Sequence, residues 1–306
     1  MVQGLLKRVE IGLYLFAMTP THNDAYTLSF PDVQTTSVVF ASPHSGRHYP
    51  RAFLRRSVLD ELTIRSSEDA FIDLIVGNAP DCGAPLLVAK APRAFLDLNR
   101  ASDELDPSVV EGIGKVAHNP RIASGLGVVP RVVSNGRAIY RGKISKAEAT
   151  ARIERYWLPY HTCLQKLLDH TRRQFNEAIL IDCHSMPHEA LDAVAKPGAP
   201  RPEVVLGDRF GSSAETDLVD RIETIFLDAG LTVSRNAPFA GAYITQHYGR
   251  PSRRQHAIQI EVDRALYLNE TYVRPNDNFR NFQAVMTRVV QEISDIGRAS
   301  VPLAAE

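Results

Sequence analysis

Short apolar runs rich in valine and isoleucine alternate along this chain with segments of helical periodicity. This alternation constrains the fold most, because strands and helices that follow one another in turn are typical of α/β proteins. The sequence therefore predicts a three-layer α/β sandwich around a mixed, largely parallel sheet. The candidate strands are residues 37–41, 86–89, 179–182, 204–206, 231–234 and 258–262.

Three segments carry the apolar spacing of helices that bury one face. At the start of the longest segment, Ser145 and Glu148 form a capping-box pattern, which satisfies free backbone N–H groups. Gly230 follows the second segment, and glycine commonly ends helices. The predicted helices are residues 146–174, 215–229 and 278–293.

The 306 residues contain no linker, internal repeat or low-complexity tract, so residues 26–306 are predicted to form a single α/β domain. Residues 1–25 are predicted to be a flexible extension, with Met18 as an alternative start. Their short apolar stretch has no convincing cleavage site, so a signal peptide is not expected. Residues 101–141 lose all periodicity, and a loop of that length is usually functional or disordered.

The charge balance and the cysteine count exclude several classes of protein. Lysine plus arginine total 35, as do aspartate plus glutamate, and the net charge of zero argues against a nucleic-acid or membrane-surface role. No apolar run approaches the roughly 20 residues of a membrane span. The three cysteines are too few and too scattered for a disulfide framework or a cysteine zinc site. A reducing, cytoplasmic setting is therefore expected.

Two histidines occupy matching positions at the ends of apolar runs. His44 follows the run at 38–41, and His184 follows the run at 178–181. Ligands of open α/β sheets bind beyond the carboxyl ends of the strands, so both side chains are expected to converge on one ion. Asp182 is placed to orient the ring of His184, since ligating histidines usually donate their other N–H to such a group. The alternative, for either residue alone, is a histidine that stabilises the turn at a strand end.

A nearby carboxylate would complete a His/His/carboxylate set, which binds catalytic zinc and leaves one coordination position for water. The acidic pair Glu68-Asp69 lies near a predicted helix start, and the residues alone leave both members open as the ligand. Ser66 with Asp69 also resembles a helix N-cap with an acid in the first turn, which is the alternative interpretation.

Glu261 is the candidate for proton transfer. It lies near the end of the alternating strand pattern at 256–262. A carboxylate there, within reach of a zinc-bound water, is able to take its proton and pass it to a leaving amine. The alternatives are an exposed strand residue or an ion-pair partner of Arg264.

Arginines are the candidates for anion binding, because the planar guanidinium matches a carboxylate with two hydrogen bonds. Taken singly, an arginine is more often a surface charge. Residues 239–251 are rich in small residues and hydrogen-bonding groups, and they are predicted to form a binding loop that includes Tyr243. The other candidates for substrate contact are Arg93, Asn99, Arg100, Arg131 and Arg137.

Together these segments resemble the N-formylglutamate amidohydrolase family over residues 42–268. Separated motifs in the right order are more specific than any one of them. The motifs are Pro43-His44-Ser45-Gly46, Glu68-Asp69, Asp97-Leu98-Asn99-Arg100, Pro159-Tyr160-His161, Asp182-Cys183-His184-Ser185, Tyr243-Ile244-Thr245, Tyr248-Gly249-Arg250-Pro251 and Gln259-Ile260-Glu261.

The resemblance implies a zinc-carboxypeptidase-like (phosphorylase/hydrolase-like) fold and the hydrolysis of N-formyl-L-glutamate to formate and L-glutamate, a step of histidine degradation. It implies one Zn²⁺ per chain, held by His44, Asp69 and His184. Asp69 is then favoured over Glu68, since family members vary just before the aspartate. Glu261 falls at the position of the catalytic glutamate.

The implied reaction uses Glu261 to take a proton from the attacking water and to protonate the leaving nitrogen. Zinc and Arg93 stabilise the oxyanion. Residues that would hold the glutamate part of the substrate are Asn99, Arg100, Arg131 or Arg137, and Tyr243.

The binding loop departs from the family pattern. It reads Phe239-Ala240-Gly241-Ala242-Tyr243 where Phe-Lys-Gly-Gly-Tyr is typical. This change spares the metal ligands but leaves the acyl-amino-acid substrate open. The alternatives are an amidase for another N-acyl amino acid or small peptide, and a non-catalytic binding protein for an acidic amino-acid derivative. A small molecule is the expected partner in each case.

Overall fold

Two long strands, Ala178–Met186 and Gln255–Asp263, pair in parallel within a seven-stranded sheet, and every residue of both is buried. Such burial is expected for parallel strands that are covered on both faces. The computed structural model describes residues 24–114, 119–192 and 201–298. In chain order the strands are β1 (Tyr26–Ser29), β2 (Val38–Ser42), β3 (Leu86–Ala89), β4 (Ala178–Met186), β5 (Val204–Gly207), β6 (Val233–Arg235), β7 (Gln255–Asp263), β8 (Leu268–Asn269) and β9 (Arg274–Pro275).

The sheet has the order β1-β3-β2-β4-β7-β5-β6, and β8 pairs with β9 in a separate two-stranded sheet. Strands β3, β2, β4 and β7 run parallel to one another. Strand β1 pairs antiparallel with β3, and β5 and β6 continue beyond β7 in the opposite direction. The predicted mixed sheet of an α/β protein is confirmed.

Helices pack on both faces of this sheet. In chain order the described helices are α1 (Arg51–Arg56), α2 (Ile72–Ile75), α3 (Pro120–Ala123), α4 (Lys146–Arg152), α5 (Leu158–Phe175), α6 (Thr216–Asp228), α7 (Tyr243–Tyr248) and α8 (Phe279–Ile296), with 3₁₀ turns at Thr63–Ser67, Pro80–Cys82, His188–Leu191, Pro251–Arg253 and Arg264–Leu266. Leu180 of β4 joins an apolar core with α5, whereas its neighbour Ile181 joins a core with α6 and α8. Among the described helices, none is long and apolar enough to cross a bilayer.

The predicted strands are present, but two of them are longer than expected. The predicted segments 179–182 and 258–262 lie inside the nine-residue strands β4 and β7. Polar residues near the ends of these strands interrupt the apolar pattern, so the predicted strands stop too early. Tertiary packing nevertheless keeps these residues in the sheet. Strand β1 was not predicted, because its four residues alternate between apolar and polar but form too short a run to stand out.

The longest predicted helix, 146–174, is divided by a π-helical turn at Ile153–Trp157. Pro159 follows this turn, and proline has no N–H to donate to the carbonyl four residues earlier, so the regular helical ladder is interrupted. Half of the predicted capping box is present, since the Ser145 side chain accepts from the N–H of Glu148 at 3.2 Å. The Glu148 carboxylate pairs with arginines instead.

Two segments were predicted to be irregular, residues 1–25 and residues 101–141, and the structure describes mainly the second. Most of the predicted extension at residues 1–25 falls outside the described residues, which begin at Asp24. The described parts of the long loop contain α3 and pack apolar side chains into the core beside α5, among them Val128, Val129 and Ile139. This loop is therefore largely built into the domain.

Candidate metal centre

Two imidazoles and one carboxylate meet beside the central strands. His44 lies two residues after β2, Asp69 lies two residues after the turn Thr63–Ser67, and His184 lies within β4. Nδ1 of His184 is 2.9 Å and Nδ1 of His44 is 3.4 Å from Oδ2 of Asp69. The three residues are buried and their ligand atoms lie within 4.8 Å of one another, so the group is able to hold a metal ion.

The position of His184 differs from the expectation that it follows a strand. Strand β4 continues to Met186, so His184 is held by the sheet itself. Ala41 of β2 pairs with Asp182 of β4, and the two histidines follow this pair by three and two residues. The strand register thus brings the rings together, with centroids 4.8 Å apart.

The turn that carries His44 depends on a glycine. A Cβ atom on Gly46 would lie 2.2 Å from the carbonyl oxygen of Ala91, so any larger residue would displace the turn. The N–H of Asp69 donates to the carbonyl of His44 at 3.0 Å. These contacts fix the two ligand-bearing loops against each other and against the segment after β3.

Each imidazole has its second nitrogen beside a buried carboxylate. Nε2 of His44 lies 2.7 Å from Oδ1 of Asp97. Nε2 of His184 lies 3.0 Å from Oδ2 of Asp182, although without hydrogen-bond geometry. Outer carboxylates of this kind orient ligating histidines, and here they leave both Nδ1 atoms for the centre. Nδ1 of His44 is buried and has no hydrogen-bond partner among the described residues, which fits a metal-ligating nitrogen.

Buried carboxylates dominate the electrostatics of the group. Burial opposes ionisation of Asp69, but the imidazoles of His184 and His44 hold the pKa of its carboxyl well below the usual range. Burial also opposes protonation of His184, yet Asp182 and Asp69 raise its pKa well above the ordinary value. The site therefore favours positive charge between these residues, as a cation site requires.

Glu68, the other acidic candidate, is engaged elsewhere. Its Oε1 accepts from the Tyr49 hydroxyl at 2.6 Å, and both of its carboxylate oxygens accept from Arg65 at 3.0 Å. Burial and the adjacent Glu68 carboxylate raise the pKa of Tyr49 far above its ordinary value. Of the acidic pair, the structure brings only Asp69 to the two histidines.

Glu261 lies on β7 directly beside His184, its register partner on β4. Its side chain is buried, and Oε1 accepts from Nε2 of Gln259 at 2.8 Å. Burial raises the pKa of Glu261 to about 7; His184 acts against this shift and Asp69 acts with it. A carboxylate with this pKa is suited to accept and return a proton near neutral pH.

Three residues predicted to contact the substrate have different partners in the structure: Asn99, Arg93 and Arg100. Nδ2 of Asn99 lies 3.3 Å from Nε2 of His184. Arg93 donates through Nε to Oδ2 of Asp97 at 3.0 Å, on the far side of the carboxylate that holds His44. Arg100 is buried, and its guanidinium donates to two backbone carbonyl oxygens.

Arg131, Arg137 and Tyr243 have no contact with the metal group among the described interactions. Arg131 donates to Oδ2 of Asp106 at 2.9 Å, and the exposed Arg137 donates to a threonine hydroxyl at 3.1 Å. Tyr243 begins α7, and the N–H of the next residue donates to Oδ1 of Asn99 at 2.8 Å. Their contact with substrate stays a prediction.

The sequence did not predict the contacts that Asp97 and Arg264 make in this site. Asp97 was named only within a family motif, whereas its carboxylate contacts Nε2 of His44 and accepts from Nε of Arg93. Arg264 was considered only as a partner of Glu261, whereas its guanidinium donates to Oδ1 of Asp69 at 3.0 Å. An arginine directly after a buried strand is the one signal in the sequence that points to this contact.

Comparisons with known proteins agree on one family. The profile described as FGase, N-formylglutamate amidohydrolase, matches residues 36–268. N-formylglutamate deformylase of Pseudomonas putida is 27% identical over 266 residues, which are 84% of this chain and 91% of that protein. The crystal structure of N-formylglutamate amidohydrolase from Ralstonia eutropha JMP134 is 32% identical and has a TM-score of 0.83, over 90% of this chain and 98% of that one. A gene product of Agrobacterium tumefaciens, 15% identical with a TM-score of 0.61 over 91% of this chain and 97% of that one, shares the fold.

Proposed function

The chain belongs to the N-formylglutamate amidohydrolase family, and from this premise we propose that it hydrolyses N-formyl-L-glutamate to formate and L-glutamate. The observation that carries the proposal is the buried group of His44, Asp69 and His184 with Glu261 beside it. Two imidazoles and a carboxylate form a ligand set that catalytic zinc hydrolases use. The mixed sheet with helices on both faces supports the zinc-carboxypeptidase-like fold that the sequence resemblance implies.

Nδ1 of His44, Oδ2 of Asp69 and Nδ1 of His184 would hold one zinc ion. When bound by three such ligands, zinc supplies a Lewis acid and lowers the pKa of water to about 7. Structural zinc sites normally fill all four positions with cysteine or histidine. None of the three buried cysteines belongs to this group, which favours a catalytic role.

Glu261 is the proposed general base and acid. It accepts a proton from the attacking water as the oxygen bonds to the formyl carbon. It then delivers this proton to the amide nitrogen as the carbon–nitrogen bond breaks. The second proton of the water stays on the formic acid product, which ionises to formate as it and the free amine of glutamate leave. The buried position and the pKa of about 7 support this sequence of transfers.

Arg93 is proposed to stabilise the negative charge that develops on the formyl oxygen. Among the described residues, its hydrogen bond to Asp97 uses Nε, which leaves the terminal amino groups for an anion. The substrate carboxylates would be held by Asn99, Arg100, either Arg131 or Arg137, and Tyr243. For Arg100 this requires that substrate binding replace its present backbone partners.

A second candidate is the hydrolysis of a different N-acyl amino acid by the same residues. The binding loop carries Ala240 and Ala242 where lysine and glycine are typical of the family. A loss of positive charge beside the pocket weakens selection for a substrate with two carboxylates. The same metal site and Glu261 serve either substrate.

The proposal is tested by formate release from N-formyl-L-glutamate, measured on the purified protein before and after chelation and after zinc is added back. Release that disappears with the chelator and returns with zinc is the expected result. Zinc-loaded protein without release would refute this substrate, and a panel of N-acyl amino acids would then test the second candidate. Protein that neither binds zinc nor releases formate would refute the proposal.

Adjacent acids provide a matched control. Asp69→Asn is expected to abolish tight zinc binding, whereas Glu68→Gln changes a neighbouring buried acid that Tyr49 and Arg65 hold. Zinc content of the two folded variants separates loss of a ligand from general loss of buried charge. Equal zinc content in both would exclude Asp69 as a ligand.

A further inference from the structure

A buried guanidinium contacts the carboxylate of the metal group from outside. Arg264 directly follows β7, and its side chain is only 5% exposed. Nη2 donates to Oδ1 of Asp69 at 3.0 Å. Nε donates to Oγ of Ser185 at 3.1 Å, and Nη1 donates to the carbonyl of Ser66 at 3.0 Å.

The two oxygens of Asp69 therefore have different partners. Oδ2 lies 2.9 Å from Nδ1 of His184 and 3.4 Å from Nδ1 of His44. Oδ1 accepts from Arg264 and lies 3.4 Å from Oγ of Ser185, which also donates to it. A carboxylate without such contacts is able to turn and present either oxygen, or both, to a cation.

We propose that Arg264 is the positioning residue for Asp69, which it holds by Oδ1 so that only Oδ2 faces the metal. This inference rests on the proposed function, because it requires a metal at the group. Binding through one oxygen keeps the remaining coordination position open for the reaction. A second bond from Oδ1 would raise the coordination number and crowd the position that water needs.

The same guanidinium connects three of the four segments that form the site, all but the turn that carries His44. Ser66 precedes Asp69 by three residues, Ser185 follows His184, and Arg264 itself follows the strand that carries Glu261. Three different nitrogens reach these partners, and only the rigid fork of arginine offers them in fixed directions. Lysine keeps the charge but presents a single nitrogen, so it cannot hold all three partners in this geometry.

Arg264→Lys tests the proposal through the metal rather than through turnover alone. Zinc affinity is measured by competition with a chelator, and the absorption spectrum of the cobalt-substituted protein reports the coordination number. We expect zinc affinity to fall about 10- to 100-fold, the usual effect of removing a group that orients a ligand. The cobalt spectrum is expected to change from a four-coordinate to a five-coordinate form as Oδ1 reaches the metal.

Arg152→Lys is the matched control. Arg152 is another buried arginine, which donates to the carbonyl of Phe95 and to the hydroxyl of Tyr140. Its replacement is expected to lower the melting temperature while zinc affinity and the cobalt spectrum stay unchanged. It thus reports the general effect of replacing a buried guanidinium by an ammonium group.

Ser185→Ala is a milder second variant, which keeps Arg264 and removes one of its partners. It also removes the longer hydrogen bond from Oγ to Oδ1 of Asp69, and it is expected to weaken zinc binding several-fold. If Arg264→Lys does not fold, unchanged zinc binding in Ser185→Ala would contradict the proposal. Unchanged zinc affinity and an unchanged cobalt spectrum in the folded variants would overturn the role of Arg264. If the wild-type protein binds no zinc, the proposed function itself fails, so the two failures are distinguishable.

Discussion

At the scale of single residues, four chemically similar acids around the site have different surroundings. Asp97 and Asp182 lie at the outer nitrogens of the two imidazoles, and Asp69 lies between the inner ones. Glu261 accepts from a glutamine and has a raised pKa. Position in the fold, rather than residue type, therefore distinguishes the two outer acids, the proposed ligand Asp69 and the proposed proton-transfer group Glu261.

Glu261→Gln tests the proton-transfer role. The amide oxygen of glutamine is able to accept the hydrogen bond from Gln259, so the fold and zinc content are expected to be preserved. It is not basic enough to accept a proton from water, so kcat is expected to fall about 10²- to 10⁴-fold. Turnover and zinc content are measured on the same sample. Near-normal turnover with full zinc content would remove Glu261 from the mechanism.

Some of these residues were predictable from the sequence, and others were not. His44, His184 and Glu261 are visible because each is a polar residue at or near the end of an apolar run. Arg264 also follows an apolar run, but this position does not reveal its partner, since Asp69 is 195 residues away along the chain. The choice between Glu68 and Asp69 likewise depends on which carboxylate meets Tyr49 and Arg65, and this is a property of the folded chain.

At the scale of elements, the alternation of strands and helices was predictable, but the ends of several elements were not. Strands β4 and β7 extend past the polar residues that suggested their ends, because pairing with each other satisfies the backbone there. Helices α6 and α8 match their predicted segments closely, since burial of one face alone determines them. The π-helical turn before Pro159 was missed, because its apolar spacing resembles that of a regular helix.

One interaction between elements predicts how stability depends on pH. His161 of α5 makes 2.9 Å contacts with the carbonyl of Leu98 and with the hydroxyl of Tyr248 in α7. Burial lowers its pKa from 6.5 to about 3. Below pH 6.5 the unfolded chain takes up a proton that the folded protein does not, so stability is lost as the pH falls towards 3.

His161→Phe is expected to flatten this dependence. Removing one such group reduces the slope of the unfolding free energy between pH 6.5 and 4.5 by up to about 1.4 kcal/mol per pH unit. The variant is also expected to be less stable at every pH, since two polar groups lose a buried partner. Urea unfolding is measured across this range with chelator present throughout, because metal binding is itself pH-dependent. Parallel curves for the two proteins would contradict the assignment.

At the scale of the whole molecule, the proposed metal ligands come from segments that are far apart in the sequence. His44 follows an inner strand, Asp69 lies in a loop, and His184 lies in the strand between β2 and β7. The unfolded chain does not hold them together, so an ion that binds all three binds the folded state selectively. Metal binding and folding are therefore expected to be thermodynamically linked.

Zinc is accordingly expected to raise the melting temperature. Free zinc at 100 to 1,000 times its Kd stabilises the folded state by about 2.7 to 4.1 kcal/mol, and this corresponds to a rise of several degrees for a domain of this size. Differential scanning calorimetry with zinc and with chelator measures the effect. His184→Ala is expected to melt at one temperature under both conditions. A zinc-dependent rise that persists in this variant would place the ion elsewhere.

The pairing of His184 with Glu261 across β4 and β7 has a consequence for how substrate specificity is able to change in related proteins. Neighbouring strands are held about 4.8 Å apart by their ladder of hydrogen bonds, so the backbone spacing of the proposed ligand and the proposed base is set by the sheet. Residues 239–251, which are predicted to select the substrate, belong to a loop and a short helix outside this ladder. Substitutions within residues 239–251 would therefore be able to change which acyl-amino acid is bound. The proposed ligand His184 and the proposed base Glu261 would keep their positions through such a change.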